Sequence, residues 1–387
     1  MLAILQVQHD ARDTRLPLTR RARPANLLFV KTIWDGAMTL KELARRLGLS
    51  PTTVSRALNG YPEVGESTRL RVIAAARAHN YHPNARARSL ATGRAMAIGH
   101  VIPVSTHHEM VNPVFGDFLA GAGAHYAEAG YQMLLSVVPD TEEAATYRDL
   151  KARGSVDGVI VHAPRRDDPR IALLNEIGLP FLVHGRSSGA ARPYPWIDVD
   201  NRRAFERATR FLLDLGHRRI GLVNGPEAMD FALRRREGYA QALAAAGLQA
   251  DPALIRSGEM TEAHGYRSTR DLLGADAPPT AILVSSMIAA IGLRRAAEEA
   301  GLRLGRELSV ITHDDMLSYL RNGEAEPLFT ATRSSVHEAG RRAARMLIEL
   351  ISHPDTTPRE QLLESDLTVG QSTGPAPAPD RRAGWRS

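Results

Sequence analysis

The stretch Thr39-Leu-Lys-Glu-Leu-Ala-Arg-Arg-Leu-Gly-Leu-Ser-Pro-Thr-Thr-Val-Ser-Arg-Ala-Leu-Asn59 decides how the first part of this 387-residue chain folds. Leu40, Leu43, Ala44 and Leu47 recur at helical spacing, with Thr39 placed to cap them. Gly48 supplies the left-handed residue on which a helix stops. Ser50 then caps a second helix whose first turn takes Pro51, where the missing N–H costs nothing. Val54 and Leu58, four apart, turn back onto the first helix, which leaves Pro51, Thr52, Ser55, Arg56 and Asn59 pointing outward. Two short helices joined at a glycine, the second with small polar residues and an arginine on its free face, read as a helix-turn-helix. A merely solvated surface would mix Glu with Lys. This one does not, and a nucleic acid is the expected partner.

The flanking residues extend that reading. A third amphipathic helix is expected to turn Leu70, Ile73 and Ala74 inward. Tyr81-His-Pro-Asn-Ala-Arg-Ala-Arg-Ser-Leu90 follows as a short helix opened by Pro83 and Asn84, and Ala91-Thr-Gly-Arg94 as a flexible connection. A segment carrying Arg86 and Arg88 and ending in an apolar Leu90 suits a minor groove, with the leucine wedged between base steps. Unstacking costs a few kcal/mol per step, so two copies and their phosphate contacts must offset it together. Charge agrees. The net of +6 divides into +3 on residues 1–38, +7 on 39–96 and −4 on the rest, so a basic head precedes a mildly acidic body.

Thr39–Leu90 resembles the head of the LacI/GalR (lactose and galactose repressor) family of bacterial transcription regulators. Thr52–Asn59 meets that family's A-T-V-S-R-x-L-N pattern, and Tyr81–Leu90 its Y-x-P-N-x-x-A-R-S-L hinge helix. The resemblance implies that Pro51, Thr52 and Arg56 face base edges, that Thr53, Ser55 and Asn59 hold phosphates, and that Leu90 is the minor-groove wedge, with Arg88 beside it. It also implies a homodimer on double-stranded DNA, at a pseudo-palindromic operator. Arg86 departs from the family, which usually has an apolar residue where the two hinge helices meet. The family's helix-turn-helix begins within a few residues of the start, whereas 38 residues precede it here. Residues 1–37 are expected to be a disordered arm or to lie upstream of a natural start at Met38. The rival reading is a basic arm that adds phosphate contacts.

From Ala97 onward short apolar strands alternate with helices. Expected strands are Ile98–Ile102, Gln132–Val138, Gly158–His162, Phe181–His184, Ile220–Asn224, Thr280–Val284 and Ser309–Thr312. Arg202–Leu215, Arg234–Ala246 and Ala289–Ala300 are among the helices between them. That rhythm predicts an α/β body of parallel sheets covered on both faces, too long for one sheet and so two-lobed, with a ligand at the strand ends. The resemblance continues through Thr368: Asn112-Pro-Val-Phe115, Val156-Asp-Gly-Val-Ile160, Leu215-Gly-His-Arg-Arg-Ile220, Arg235-Arg-Glu-Gly-Tyr239 and His313-Asp-Asp315 match family landmarks in order. It implies an all-α head at 38–82, a hinge helix and linker at 83–96, and a type I periplasmic-binding-protein-like domain at 97–372. The N-lobe would take 97–196 plus 332–356, the C-lobe 197–328 plus 358–370, and 373–387 would be a disordered tail.

Other chemistries find little support. Without cysteine, thiolate zinc, iron–sulfur clusters and disulfides are excluded. No apolar run spans a bilayer and the N-terminus does not read as a signal peptide, so a cytoplasmic protein with no membrane partner is expected. Gly121-Ala-Gly-Ala-His-Tyr126 begins like a dinucleotide loop but sits inside a helical run and lacks a third glycine in place, so a helix-packing surface is expected. His107-His108-Glu109 reads as a loop at the cleft rim rather than a metal site. Asp314 and Asp315 are adjacent at a strand end, point opposite ways and cannot share a substrate proton. No cofactor, metal or enzyme activity is expected.

Carried over by position, Asp314 is the foremost effector contact, accepting from two hydroxyls. Phe115 would offer a ring face, His162 a polar contact, and Arg235 and Arg186 donors. Met260 stands where an aromatic is frequent and Ser286-Met287 replaces Asn-Asp, which departs from the family's usual ligand geometry. The function implied is a repressor of carbohydrate uptake or catabolism genes, released or engaged by a mono- or disaccharide between the lobes. A purine- or other metabolite-responsive co-repressed regulator is the second reading, and a sugar-binding protein without DNA function the third.

Overall fold

The computed structural model describes residues 38–81, 93–103, 112–354 and 359–378. The extension 1–37, Arg86, Arg88, Leu90 and the loop His107–Glu109 lie outside them. The chain divides into two compact units, one up to Arg88 and one from Ser89.

In the head, α1 (Leu40–Leu47), α2 (Pro51–Leu58) and α3 (Glu66–Ala78) form where their caps dictate. Thr39 and Glu42 make a reciprocal capping box, and Gly48 ends α1 in the left-handed conformation at φ 64°. Ser50 Oγ accepts from Thr53 N at 3.0 Å, with Pro51 in the first turn of α2. Leu43, Ala44, Val54, Ala57, Val64, Val72 and Ala76 close a small core. The third helix is rotated from the expected facing. Val72 and Ala76 point inward, Ala74 is exposed and Leu70 is 61% exposed. One i, i+4 pair fills the narrow groove between α1 and α2, and a wider apolar stripe has nowhere to go.

The body holds two six-stranded sheets. The first runs β2 (Gln132–Val138), β1 (Ala97–Pro103), β3 (Gly158–His162), β4 (Phe181–His184), β5 (Trp196–Val199) and β11 (Glu360–Leu363), all parallel. Helices α4 (Pro113–Glu128), α5 (Glu143–Ala152), α6 (Pro169–Ile177) and α11 (Val336–Ser352) cover it. The second runs β7 (Ile255–Ser257), β6 (Ile220–Asn224), β8 (Ala281–Val284), β9 (Ser309–Asp314), β10 (Thr330–Arg333) and β12 (Asp366–Thr368), of which only β12 is antiparallel. Its helices are α7 (Asn201–Asp214), α8 (Asp230–Ala245), α9 (Glu262–Leu273) and α10 (Met287–Glu299). Strands β3, β6, β8 and β9 are buried along their whole length, as parallel strands covered on both faces should be.

Three helix pairs pack backbone to backbone through glycines. A Cβ on Gly121 of α4 would strike the His337 carbonyl of α11, and one on Gly340 the Phe118 carbonyl of α4. Gly238 of α8 sits likewise against Arg202 O of α7, and Gly265 and Gly292 let α9 and α10 meet. Gly121 therefore serves close helix packing.

The chain crosses between lobes at Asp200, at Ser334–Ser335 and at Glu364–Ser365. The expected lobe boundaries need correction here. Residues 197–199 and 360–363 pair in the first sheet, and 332–333 in the second. The expected disordered tail is corrected as well, because its first residues are pinned to the second lobe. Gly374 N donates to Ser309 Oγ at 3.1 Å, and Ala376 N to Leu215 O at 2.8 Å. The second bond occupies a carbonyl at the end of α7, and the first adds to the contact Ser309 Oγ already makes with His217 Nε2 at 3.0 Å.

Two carboxylates tie the lobes together. Asp230, fully buried at the start of α8, accepts from Ser188 N at 3.0 Å and Ser188 Oγ at 2.5 Å. Asp117 of α4 accepts from Ser318 N at 2.9 Å and Ser318 Oγ at 2.7 Å. Hydrogen bonds to charged acceptors contribute about 1.5–3 kcal/mol each. Replacing both serines by alanine is expected to loosen closure, seen as a larger radius of gyration in solution scattering. An unchanged radius would show that closure rests on other contacts.

Candidate functional site

On the head, α2 presents Pro51, Thr52 and Arg56 exposed, as the free face of the second helix requires. Thr53, Ser55 and Asn59 are half-buried and engage their own helix. Thr53 Oγ1 lies 2.8 Å from Ser50 Oγ, and Asn59 Nδ2 donates to Ser55 O at 2.9 Å. Arg71 reaches back to the Leu47 carbonyl at 3.0 Å and closes the end of α1. The outward face of α2 is thus small, polar and free of carboxylates, as close approach to a phosphate backbone demands.

In the body, the strand C-termini of both sheets open on a cleft of about 350 Å³. Phe115, His162, Arg186 and Arg235 all line it. Asp314 does not. Its carboxylate turns to the other side of β9, where it accepts from Met316 N at 2.8 Å and from Arg333 Nε at 3.1 Å, beside a separate cavity. Of the two adjacent aspartates it is Asp315 that lines the cleft. The alternation that separates the two side chains also puts Asp315 on the same side as His313.

Arg235, nearly buried on α8, donates through Nε to Asn201 Oδ1 at 2.7 Å and through Nη1 to Ser285 O at 2.6 Å. Its guanidinium lies 5.1 Å from the Phe205 ring and 5.0 Å from that of Phe231. Burial pushes its pKa down to about 10 against the pull of Asp315 and Asp198, and it stays charged at neutral pH. Arg186 stacks over Trp196 and donates through Nε to Asp198 Oδ2 at 2.8 Å. Asn201 Nδ2 reaches Asp198 Oδ1 at 3.2 Å. The two arginines anticipated separately are therefore ends of one chain, Arg186–Asp198–Asn201–Arg235. Burial raises the Asp198 carboxyl despite Arg186. Burial also favours the neutral form of Asp315, yet His313, Arg235 and His184 hold its carboxyl below the ordinary range. The charges of the cleft are largely compensated from within.

Met260 leaves one wall without a ring, and Phe231 supplies one from α8 instead. Ser286 caps α10, and neither it nor Met287 lines the cleft; Ser285 and Ile288 do. His184, Asp198, Asn201, Phe231, His313 and Asp315 are cleft residues that sequence reasoning missed. Strand-end position would have flagged His184 and His313, because a histidine after a run of buried aliphatics is where a parallel strand meets its ligand.

Two family descriptions match the chain: "Bacterial regulatory proteins, lacI family" over residues 39–84, and "Periplasmic binding protein-like domain" over 209–373. The transcriptional regulator AglR of Rhizobium meliloti is 47% identical over 340 residues, which cover 88% of this chain and 95% of that one. The chain belongs to the LacI family. It is a helix-turn-helix transcriptional regulator of that family, with its all-α head and two-lobed body. Among solved structures, a lac repressor dimer bound to operator and an anti-inducer superposes with a TM-score of 0.74 at 27% identity, over 87% of this chain and 99% of that one. A complex of the regulator CelR with cellobiose gives 0.64 at 29% identity, over 87% and 99%. Among the described residues, no helix is long and apolar enough to cross a membrane.

Proposed function

We propose that this LacI-family regulator is a repressor of carbohydrate uptake or catabolism genes, a homodimer on a pseudo-palindromic operator, and a binding protein rather than an enzyme, whose effector is an uncharged mono- or disaccharide held between the lobes. One observation carries the choice of ligand. The cleft joins ring faces from Phe115 and Phe231 to a ring of carboxylate, guanidinium, imidazole and amide groups whose charges already answer one another. A neutral polyol with an apolar C–H face satisfies such groups, while a phosphorylated ligand would meet Arg186 already paired with Asp198 and Arg235 already bonded to Asn201 and the Ser285 carbonyl under the pull of Asp315 and Asp198. The sugar complex of CelR and the operator complex of the lac repressor support the same reading by similarity.

Mechanistically, the effector binds one closure angle of the lobes better than the other. Because β1 of the first lobe follows the head in sequence, closure is the variable that reaches the DNA. The shift is bounded by the effector's differential affinity, and a hundredfold change of operator affinity needs about 2.7 kcal/mol. A thermal-shift screen of the full chain against mono- and disaccharides, with guanine and hypoxanthine alongside, tests the proposal. Stabilisation by a sugar is expected; stabilisation by a purine alone would replace the sugar with a base.

The head makes its own prediction. Arg56→Ala should relax preference at one operator position by about 1–3 kcal/mol, while Thr53→Ala weakens specific and random DNA alike. Equal losses on both DNAs for Arg56→Ala would remove its base-reading role.

A further inference from the structure

Behind the cleft wall of the first lobe lies a chain of polar groups that the effector contacts alone do not explain. His100 on β1 and His162 at the end of β3 are buried on adjacent strands, with His100 Nδ1 2.9 Å from His162 Nε2. The far nitrogen of His100, Nε2, is 3.2 Å from the hydroxyl of Tyr126 on α4, itself buried. Phe115 and Phe118 meet the His162 ring edge-on at 4.9 and 5.0 Å and fix its plane. One atom is left over. His162 Nδ1 is buried with no hydrogen-bond partner among the described residues, on a side chain 5% exposed that lines the cleft.

The proton positions along this chain follow from counting donors. Burial raises the Tyr126 phenol, which keeps its proton, and drives His100 down to about 3 and His162 well below its ordinary range, so both imidazoles are neutral. Each then carries one N–H. Among the described residues, the hydrogen-bond partner of the phenol is His100 Nε2. Running the chain the other way would leave two buried groups unpaired, the phenol O–H and the bare His162 Nδ1, whereas donation from the phenol leaves only the N–H of His162, so the phenol donates. His100 Nε2 is thereby the acceptor and its proton sits on Nδ1. That N–H donates to His162 Nε2, and the proton of His162 is left on Nδ1.

We propose that Tyr126 acts through His100 as a positioning residue that locks His162 as an Nδ1–H donor toward the effector, so that the ligand atom it meets is an oxygen acceptor: a hydroxyl, ring or glycosidic oxygen. This deepens the sugar reading and rests on it for the identity of the ligand, but the tautomer itself does not. At that point of the cleft the protein selects an oxygen with a free lone pair and disfavours an ammonium or other group with only hydrogens to offer. Tyr126 touches no ligand in this scheme.

Long-range proton–nitrogen correlation spectra of the full chain, labelled with ¹⁵N-histidine and free of ligand at neutral pH, read the tautomers directly. Protonated Nδ1 and bare Nε2 are expected for both His100 and His162; a proton on His162 Nε2 would overturn the proposal. Tyr126→Phe, confirmed folded by its melting transition, should release the lock and populate both tautomers of the pair. Unchanged spectra would show that the phenol does not set them. Cellobiose, maltose, sucrose and trehalose then serve as probes. Any that binds should shift the His162 Nδ1–H resonance, and binding with that resonance unmoved refutes the contact. For that sugar, His162→Leu, confirmed folded by its melting transition, deletes the donor and should lose about tenfold in affinity, whereas His162→Gln, whose amide accepts from His100 and still carries N–H donors, should recover part of that loss. If none of these sugars binds while the tautomers are as expected, the sugar reading fails and the proton chain stands.

Discussion

Asp315→Ala is expected to weaken effector binding about a hundredfold, and Asp314→Ala to leave it within a few-fold of the parent. The two residues are neighbours of identical chemistry, so the contrast isolates direction. Asp315 faces His313 and Arg235 in the cleft, and its carboxyl is held ionised by them and by His184. An ionised carboxylate accepts hydroxyl hydrogens at about 1.5–3 kcal/mol per bond, and two bonds account for the factor. Asp314 is occupied on the opposite side by Arg333 and by the Met316 amide. Its loss should cost some stability in the turn that follows, where Met316 adopts φ 53°, and leave the ligand's surroundings intact. Calorimetric titration with the sugar found in the thermal-shift screen measures both. A large loss for Asp314→Ala with little for Asp315→Ala would reverse the assignment of the cleft carboxylate.

Gly292→Ala is expected to lower stability by about 3 kcal/mol, or about 6–12 °C in the melting midpoint. A methyl group there would collide with the backbone of α9 at Glu262 and Tyr266, and backbone cannot rotate aside as a side chain does. Gly265 presents the reciprocal problem against Ala289. The helices would have to separate along their length, forfeiting the packing of Leu272, Ala289 and Leu293 beneath them. Gly116→Ala is the control, since nothing lies within 4 Å of the added methyl and alanine is the better helix former. Calorimetric melts of the three proteins decide it. Equal midpoints for Gly292→Ala and the parent would mean that the helices tolerate a wider spacing than their contact implies.

Much of this architecture was legible in the residues, and what was missed has physical causes. Buried central strands announce themselves as aliphatic runs, so Gly158–His162 and Ile220–Asn224 were read to the residue. The edge strand β2, with its longer apolar content, was also read to the residue as Gln132–Val138, but the short edge strands were not. β7 is three residues long with an arginine at its centre, and in β11 Glu360 and Leu362 face solvent, so neither carries an apolar run to notice. Helix caps placed α1 and α2 closely, because a capping residue acts within one turn of itself. The inward face of α3 depends on two other helices and came out rotated. Phe115, His162, Arg186 and Arg235 converge on the cleft as position suggested, whereas the choice between Asp314 and Asp315 turned on where β9 ends, a matter of one residue. Asn201, which joins the two arginines, is an ordinary helix-start residue in sequence and acquires its role only when β5 and α8 come together.

The three crossings between lobes bear on how the protein is made. Ala343, Ala344 and Leu347 belong to the core of the first lobe, and β11 is the edge of its sheet, yet all are synthesised after the whole of β6–β9. The second lobe likewise waits for β10 and β12. On a ribosome adding roughly 5–20 residues per second, β5 is exposed for on the order of ten seconds before its partner β11 appears. Neither lobe is finished until both nearly are. A nonsense codon directly after Phe329 therefore removes the last layer of two lobes at once, and the nascent chain presents open sheet edges to chaperones through most of its translation.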